Sequence, residues 1–185
     1  MGIPNNASVY CDANFLVAYG AKVVTKPEVQ KGAWILFAKL LVGNCKIVAS
    51  PLCFDEAWNG VRLEAGSKIG KEKSWSCEVD NLLRKIGICF VRSPLSRFSY
   101  NEIMPALKEF TNKLLLLPSF EVIQFPASTE KDGVTRALDN IETFKMKPRD
   151  SFHLSIVQMN DVKYIVSRDT DFTKKDLRGI DVIIY

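Results

Sequence analysis

Met146-Lys147-Pro148-Arg149-Asp150-Ser151-Phe152-His153 opens the stretch MKPRDSFHLSIVQMNDVKYIVSRDTDF (residues 146–172), from which three elements can be read in order. A proline followed by an acidic capping residue, Asp150, predicts a helix over Ser151 to Met159. Val162 to Ser167 then reads as a strand buried on both faces, because its apolar residues run on without alternation. Ser167-Arg168-Asp169-Thr170-Asp171-Phe172 is a polar loop, and Val182-Ile183-Ile184 a last strand. The same alternation runs upstream. Ser8 to Cys11 is a short strand ending at Asp12, with a helix from Asn14 to Tyr19. Pro27-Glu28 starts a helix that carries Val29, Ala33, Leu36 and Leu40 at helical spacing until Gly43-Asn44. Lys46 to Ala49 is a second strand, turning at Ser50-Pro51 into a helix that bears Asp55 and Glu56 and runs toward Gly66. In the middle of the chain, Val79, Leu82, Leu83 and Ile86 suggest one helix, and Pro105 to Leu117 another with Leu107, Phe110 and Leu114 inward. Arg92 to Tyr100 reads as loop. Phe120 to Phe125 alternates as a strand, and Ser128 or Thr129 would cap a helix buried through Val134, Leu138 and Ile141. Strands separated by helices give an α/β protein with a parallel sheet of about four to five strands.

At 185 residues, 47% hydrophobic and 25% charged, the chain has the composition of one globular domain spanning 1–185, with no internal repeat or linker. Its most apolar segment, Ala33 to Val42, is interrupted by Lys39 and is far shorter than the roughly 20 residues a bilayer span needs. A membrane role is not expected. The opening residues lack the basic and apolar regions of a signal peptide, so the expected location is cytoplasmic. Five cysteines, none in a Cys-x-x-Cys pair, are expected to be reduced and structural. The net charge of +4 permits a polyanionic partner without requiring one.

Ligands of open parallel sheets bind outside the carboxyl ends of the strands. Asp12 and Asp169 each follow a strand, and Glu56 and Asp150 stand in the first turns of helices that begin at or beside that edge. Singly, these residues can be helix caps, a wet helix face or turn residues. Jointly that reading strains, since two like charges about 4 Å apart repel by roughly 4 kcal/mol at an effective dielectric of 20. A divalent cation would relieve the repulsion. Oxygen donors in a small site suit Mg²⁺ or Mn²⁺, and the Cys or His spacing that zinc asks for is absent.

Four segments carry a resemblance to a known family: Val9 to Leu16 with Asp12, Ser50 to Glu56, Lys147 to Ser155 with Asp150, and Tyr164 to Phe172 with Asp169. In order, spacing and flanking residues the chain resembles the PIN-domain metal-dependent nucleases over nearly its whole length, and within them it is most similar to VapC-type toxins. The resemblance implies a three-layer α/β/α fold, from whose compact members this chain departs by a longer helical segment at about 67–118. It also implies a Mg²⁺- or Mn²⁺-dependent endoribonuclease, the toxin of a type II pair inhibited by a small antitoxin protein, and a homodimer. Asp12, Asp150 and Asp169 would bind the ion, with Glu56 holding a water or a second ion. Glu56 rather than Asp55 is taken as the second acid, because its offset from Ser50 fits the motif better. Asp171 is a possible further ligand or a turn residue, while Asn14 and Ser167 would orient the ligands.

Around these acids, Arg149, Arg168, Lys174 and Lys175 rank first as RNA phosphate contacts. Arg92 and Arg97, with Phe98 and Tyr100, rank behind them as a loop suited to single-stranded RNA. His153, the only histidine, is expected to pack or hydrogen-bond rather than act as a base. A hydrolytic triad finds no support. Gly66 to Glu72 has phosphate-loop glycines at the wrong spacing and reads as a helix-ending turn. Three alternatives stand beside the toxin: a PIN-like module that binds RNA or protein without cutting, a PIN nuclease of RNA processing, and a receiver-like phosphatase. The last would want an aspartate where Asn14 stands.

Overall fold

The computed structural model describes residues 2–21, 26–72 and 100–185. In chain order its elements are β1 (Ser8–Cys11), α1 (Ala13–Gly20), α2 (Pro27–Val42), β2 (Lys46–Ala49), α3 (Pro51–Glu72), α4 (Tyr100–Leu115), β3 (Phe120–Val122), α5 (Glu130–Phe144), α6 (Pro148–Met159), β4 (Tyr164–Val166), α7 (Thr170–Thr173) and β5 (Asp181–Ile183). The five strands form one sheet in the order β3-β2-β1-β4-β5, and every pairing is parallel. Helices flank it, as the three-layer α/β/α expectation requires. Among the described residues no helix is long and apolar enough to cross a membrane.

β1 lies at the centre because its sequence suits no other place. Val9, Tyr10 and Cys11 are all but fully buried, and Val9 pairs with Ile47 on one side and Tyr164 on the other. The edge strands β3 and β5 have only three residues each and are partly exposed, short edges being one way in which sheets avoid pairing with other chains. From β1 the chain moves outward through β2 to β3, and the later strands β4 and β5 fill the other side. The strand order therefore reverses between β1 and β4. At such a switch point the loops leaving the carboxyl ends of the two strands diverge and open a crevice. Asp12 immediately follows β1, Asp169 follows β4, and the Asp12 amide donates to the Val166 carbonyl at 3.1 Å, tying the two strand ends together.

Several elements differ from the sequence reading, each for a physical reason. α4 begins at Tyr100, and Pro105 sits inside it rather than starting it. The missing amide there costs only one hydrogen bond near the helix start, while Phe110 and Leu114 are buried as expected. α3 continues to Glu72, so Gly66 to Glu72 is helix and not a terminating turn. β3 stops at Val122, short of Phe125.

α5 buries Gly133, Ala137 and Asn140, whereas Val134 and Leu138 face outward. Small residues let this helix lie close to α6: the Ser155 hydroxyl donates to the Gly133 carbonyl at 2.8 Å, and a Cβ on Gly133 would stand 2.6 Å from the Phe125 ring. α6 starts at Pro148 with Lys147 as its cap residue, which places Asp150 in the first turn and not at the cap. Cys11, Cys45 and Cys53 are buried free thiols. Cys77, Cys89, the helix through Val79 to Ile86 and the loop from Arg92 lie outside the described residues.

Candidate metal centre

Asp12, Glu56, Asp150 and Asp169 come from four segments and line one open cleft of about 630 Å³, together with Asn14, Lys26, Glu64, Arg168 and Tyr185 among others. Of its lining side chains five are carboxylates (Asp12, Glu56, Glu64, Asp150 and Asp169) and two are cations (Lys26 and Arg168). The cleft opens at the switch point of the sheet, where the topology puts it.

Asp12 is 5% exposed, and its side chain makes no capping bond to α1, although its backbone carbonyl accepts the first amides of that helix. Its carboxylate instead accepts the Ser167 hydroxyl at 2.7 Å, and the Asn14 amide approaches the same oxygen at 3.5 Å. Burial raises the Asp12 pKa against the lowering effect of the Ser167 hydrogen bond. Ser167 in turn accepts the Asp169 amide at 3.0 Å, so one buried hydroxyl spans the two strand ends. Asp169 does cap its helix, accepting the Asp171 amide at 2.8 Å. The simple capping reading thus accounts for Asp169 but not for Asp12 or Asp150.

Glu56 is held from both sides. Arg149 Nε lies 3.3 Å from one carboxylate oxygen and His153 Nε2 3.4 Å from the other. Burial works against its charged form, but His153 and Arg149 together outweigh that and lower the pKa. Its neighbour Asp55 is exposed and pairs with Arg149 at 2.8 Å outside the cleft, which separates the two adjacent acids.

Asp150, Asp169 and Asp171 each offer a carboxylate oxygen within 4.8 Å of the others, and all three are half-buried. Partial burial, a hydrogen bond with Asp171 and the charges of Asp169 and Asp171 push the Asp150 pKa up to about 7. Asp171 moves the other way, lowered chiefly by the Lys175 ammonium 3.0 Å from its carboxylate; Lys147 lies 3.3 Å away on the other oxygen. Within the Asp150–Asp171 pair, Asp150 is therefore the carboxyl that takes up a proton more readily. Oxygens around a single Mg²⁺, Mn²⁺ or Ca²⁺ lie at most about 4 to 5 Å apart, twice the metal–oxygen distance. The trio lies near the upper end of that range and offers hard donors alone, so a small closing movement would let it hold Mg²⁺ or Mn²⁺. Asp150 and Asp169 belong to both the trio and the cleft. Asp12 lies in the cleft and outside the trio, and Asp171 in the trio and outside the cleft lining.

The cations expected to meet phosphate occupy different positions. Arg168 lines the cleft and sits 5.7 Å above the Tyr185 ring. Arg149 is exposed at its rim, committed to Asp55 and Glu56. Lys175 is bonded to Asp171 and to the Lys145 carbonyl, which makes it a structural counterion rather than a free phosphate ligand. Lys174 is exposed at the end of α7. Arg92 and Arg97 lie outside the described residues.

Tyr185, Lys26 and Glu64 escaped the sequence reading. Tyr185 is packed edge-on against Phe15 and reaches the cleft only through the tertiary fold, a placement that no local pattern signals. No family model matches the chain, and no curated protein matches it.

Proposed function

We propose that this chain is a divalent-metal-dependent endoribonuclease of PIN type. The observation that carries the proposal is the lining of one cleft by Asp12, Glu56, Asp150 and Asp169, which are spread over 157 positions of sequence (12 to 169). Burial and the neighbouring carboxylates raise the Asp150 pKa, and a cation would reverse that penalty. Asp150 and Asp169 are the core ligands, joined by Asp12 on the cleft side or by Asp171 on the α7 side. Bound Mg²⁺ or Mn²⁺ supplies polarisation of a scissile phosphate and a water acidic enough to attack near neutral pH.

The remaining work falls to the chain's own residues. Ser167 fixes Asp12 and the start of the Asp169 turn, so that two ligand-bearing strand ends keep their separation when substrate binds. Glu56, clamped between Arg149 and His153, stays ionised and available to orient water. Arg168 and Lys26 supply the positive charge within the cleft against which an RNA phosphate can dock. RNA rather than another phosphodiester follows from the resemblance of the four acid-bearing segments.

Incubation of short RNA oligonucleotides with the protein and Mn²⁺ tests the proposal. Cleavage that chelator abolishes and that Asp150→Asn lowers by about 10³-fold, the loss expected when several kcal/mol of charge stabilisation is removed, supports it. Cleavage unchanged by either treatment, or absent from the wild type, removes it. Membership of a type II toxin pair extends the proposal: expression should then arrest growth unless a small cognate protein is made alongside, and unaffected growth with an active nuclease would remove the extension.

A further inference from the structure

Behind Glu56 lies a buried polar cluster that cleft chemistry alone does not require. Tyr10, Ser50, Cys53 and His153 are each at most 1% exposed, in the middle of an otherwise apolar core. The Tyr10 hydroxyl stands 2.6 Å from His153 Nδ1 and 2.7 Å from Ser50 Oγ, and Cys53 Sγ lies 3.1 Å from the same hydroxyl. Four polar side chains buried together are costly unless satisfied, and here their atoms satisfy one another with a single exception. That exception is His153 Nε2. It is buried, finds no partner within the cluster, and lies 3.4 Å from Glu56 Oε2, an ion-pair contact rather than a well-formed hydrogen bond.

The helical repeat explains the alignment. On α6, Arg149 and His153 are four residues apart and share a face, and both reach Glu56; Asp150, next to Arg149, enters the same cleft. Tyr10 comes from the central strand and Ser50 and Cys53 from the start of α3, the helix that carries Glu56. The cluster therefore fixes the imidazole against the central strand and the start of the helix that carries Glu56, and leaves one ring nitrogen facing Glu56.

We propose that His153 is a positioning residue: with Nδ1 anchored by Tyr10 in the core, it presents Nε2 to Glu56 and holds that carboxylate in place on the floor of the metal cleft. The proposal rests on the nuclease reading only for its kinetic consequence. Its geometry stands without it. A purely structural role would be served by an apolar ring of similar size, whereas positioning needs a polar atom where Nε2 lies.

Two measurements separate these cases. In Mn²⁺-dependent RNA cleavage, His153→Phe should lower kcat about 10- to 100-fold, the range seen when a partner that orients a ligand is lost, with KM little changed. His153→Gln, which can place an amide near the Nε2 position, should recover most of the rate. In a Glu56→Gln background His153→Phe should cost little more, because its effect passes through Glu56. Effects that multiply independently in the double variant, or a Phe variant as active as the wild type, would overturn the proposal.

Because His153 is the only histidine, its two ring-nitrogen resonances need no assignment in a long-range ¹H–¹⁵N spectrum. Glu56→Gln should move the Nε2 resonance and leave Nδ1 nearly in place, whether or not the protein cleaves RNA. An Nε2 signal indifferent to Glu56 would contradict the positioning role, and a wild type that shows the shift but cleaves nothing would contradict the nuclease reading alone.

Discussion

On the β1 side of the cleft each carboxylate has partners of its own, the Ser167 hydroxyl bonded to Asp12 and the Arg149 and His153 nitrogens within ion-pair distance of Glu56. On the side built by α6 and the turn after β4, Asp150, Asp169 and Asp171 crowd within 4.8 Å, and the ammonium groups nearby are spent on Asp171, leaving Asp150 half-protonated near neutral pH. The first wall is held by contacts within the fold. The second is crowded with like charge, which costs free energy and which a bound cation would relieve. Stability and function should therefore respond in opposite directions to mutation of the second wall and in the same direction to mutation of the first.

The largest effect that would break this contrast is at Asp150. Asp150→Asn should lose about 10³-fold in cleavage yet raise the melting temperature of the metal-free protein at pH 8, since it removes a charge from the crowded wall. A variant both inactive and less stable would place Asp150 with the first wall.

Next in size is the response to metal and pH. The folded-state pKa of Asp150 is raised to about 7, so between about pH 4 and 7 the folded protein binds a proton that the unfolded chain releases. Stability from this group is therefore present at low pH and lost as pH rises through 7. Asp171, shifted downward, does the reverse and loses its contribution only as pH falls below its ordinary carboxylate value. Thermal melts without metal should show highest stability near pH 5 and a decline toward pH 8. A fixed Mn²⁺ concentration about 100 times the Kd at pH 8 should add about 2.7 kcal/mol there and less at pH 5, where a proton must be displaced. Equal shifts at pH 5 and pH 8 would count against the proton on Asp150.

On the first wall, Ser167→Ala leaves the buried Asp12 carboxylate without its shortest hydrogen bond. Chemical denaturation should show a loss of about 2 kcal/mol, and cleavage should fall about 10- to 100-fold. Smallest of all is Lys175→Ala, which removes one ammonium from Asp171 and should cost less than about 1 kcal/mol by the same denaturation measurement.

Much of this arrangement was legible in the sequence, because the decisive signals are local. An acid directly after a short apolar strand is placed at the carboxyl edge by strand polarity alone, which is why the sequence suffices to put Asp12 and Asp169 there. Pro27 and Gly43 mark α2, and Lys46 to Ala49 gives β2, residue for residue.

What failed were features that depend on packing across the molecule. Val134 and Leu138 have helical spacing, yet α5 turns Gly133, Ala137 and Asn140 inward, because close approach to α6 favours small side chains over large ones and hydrophobic periodicity does not register them. Asp150 looks like a cap until Lys147 takes that position. Asp171, by contrast, reads in the sequence as a possible ligand or a turn residue, and it stands in both places, its amide on Asp169 and its carboxylate in the trio between two lysines. His153 was expected to pack or hydrogen-bond, and it does so with Tyr10. Its other nitrogen meets Glu56 only because β1, α3 and α6 converge, which no segment reveals by itself.

Calorimetric titration of Mn²⁺ into the wild type and into Asp150→Asn at pH 7.5 tests the central claim, that these carboxylates form a divalent-cation site, most directly. The claim predicts saturable binding to the wild type that weakens at least tenfold in the variant. Absence of saturable binding, or isotherms that coincide for the two proteins, would contradict it.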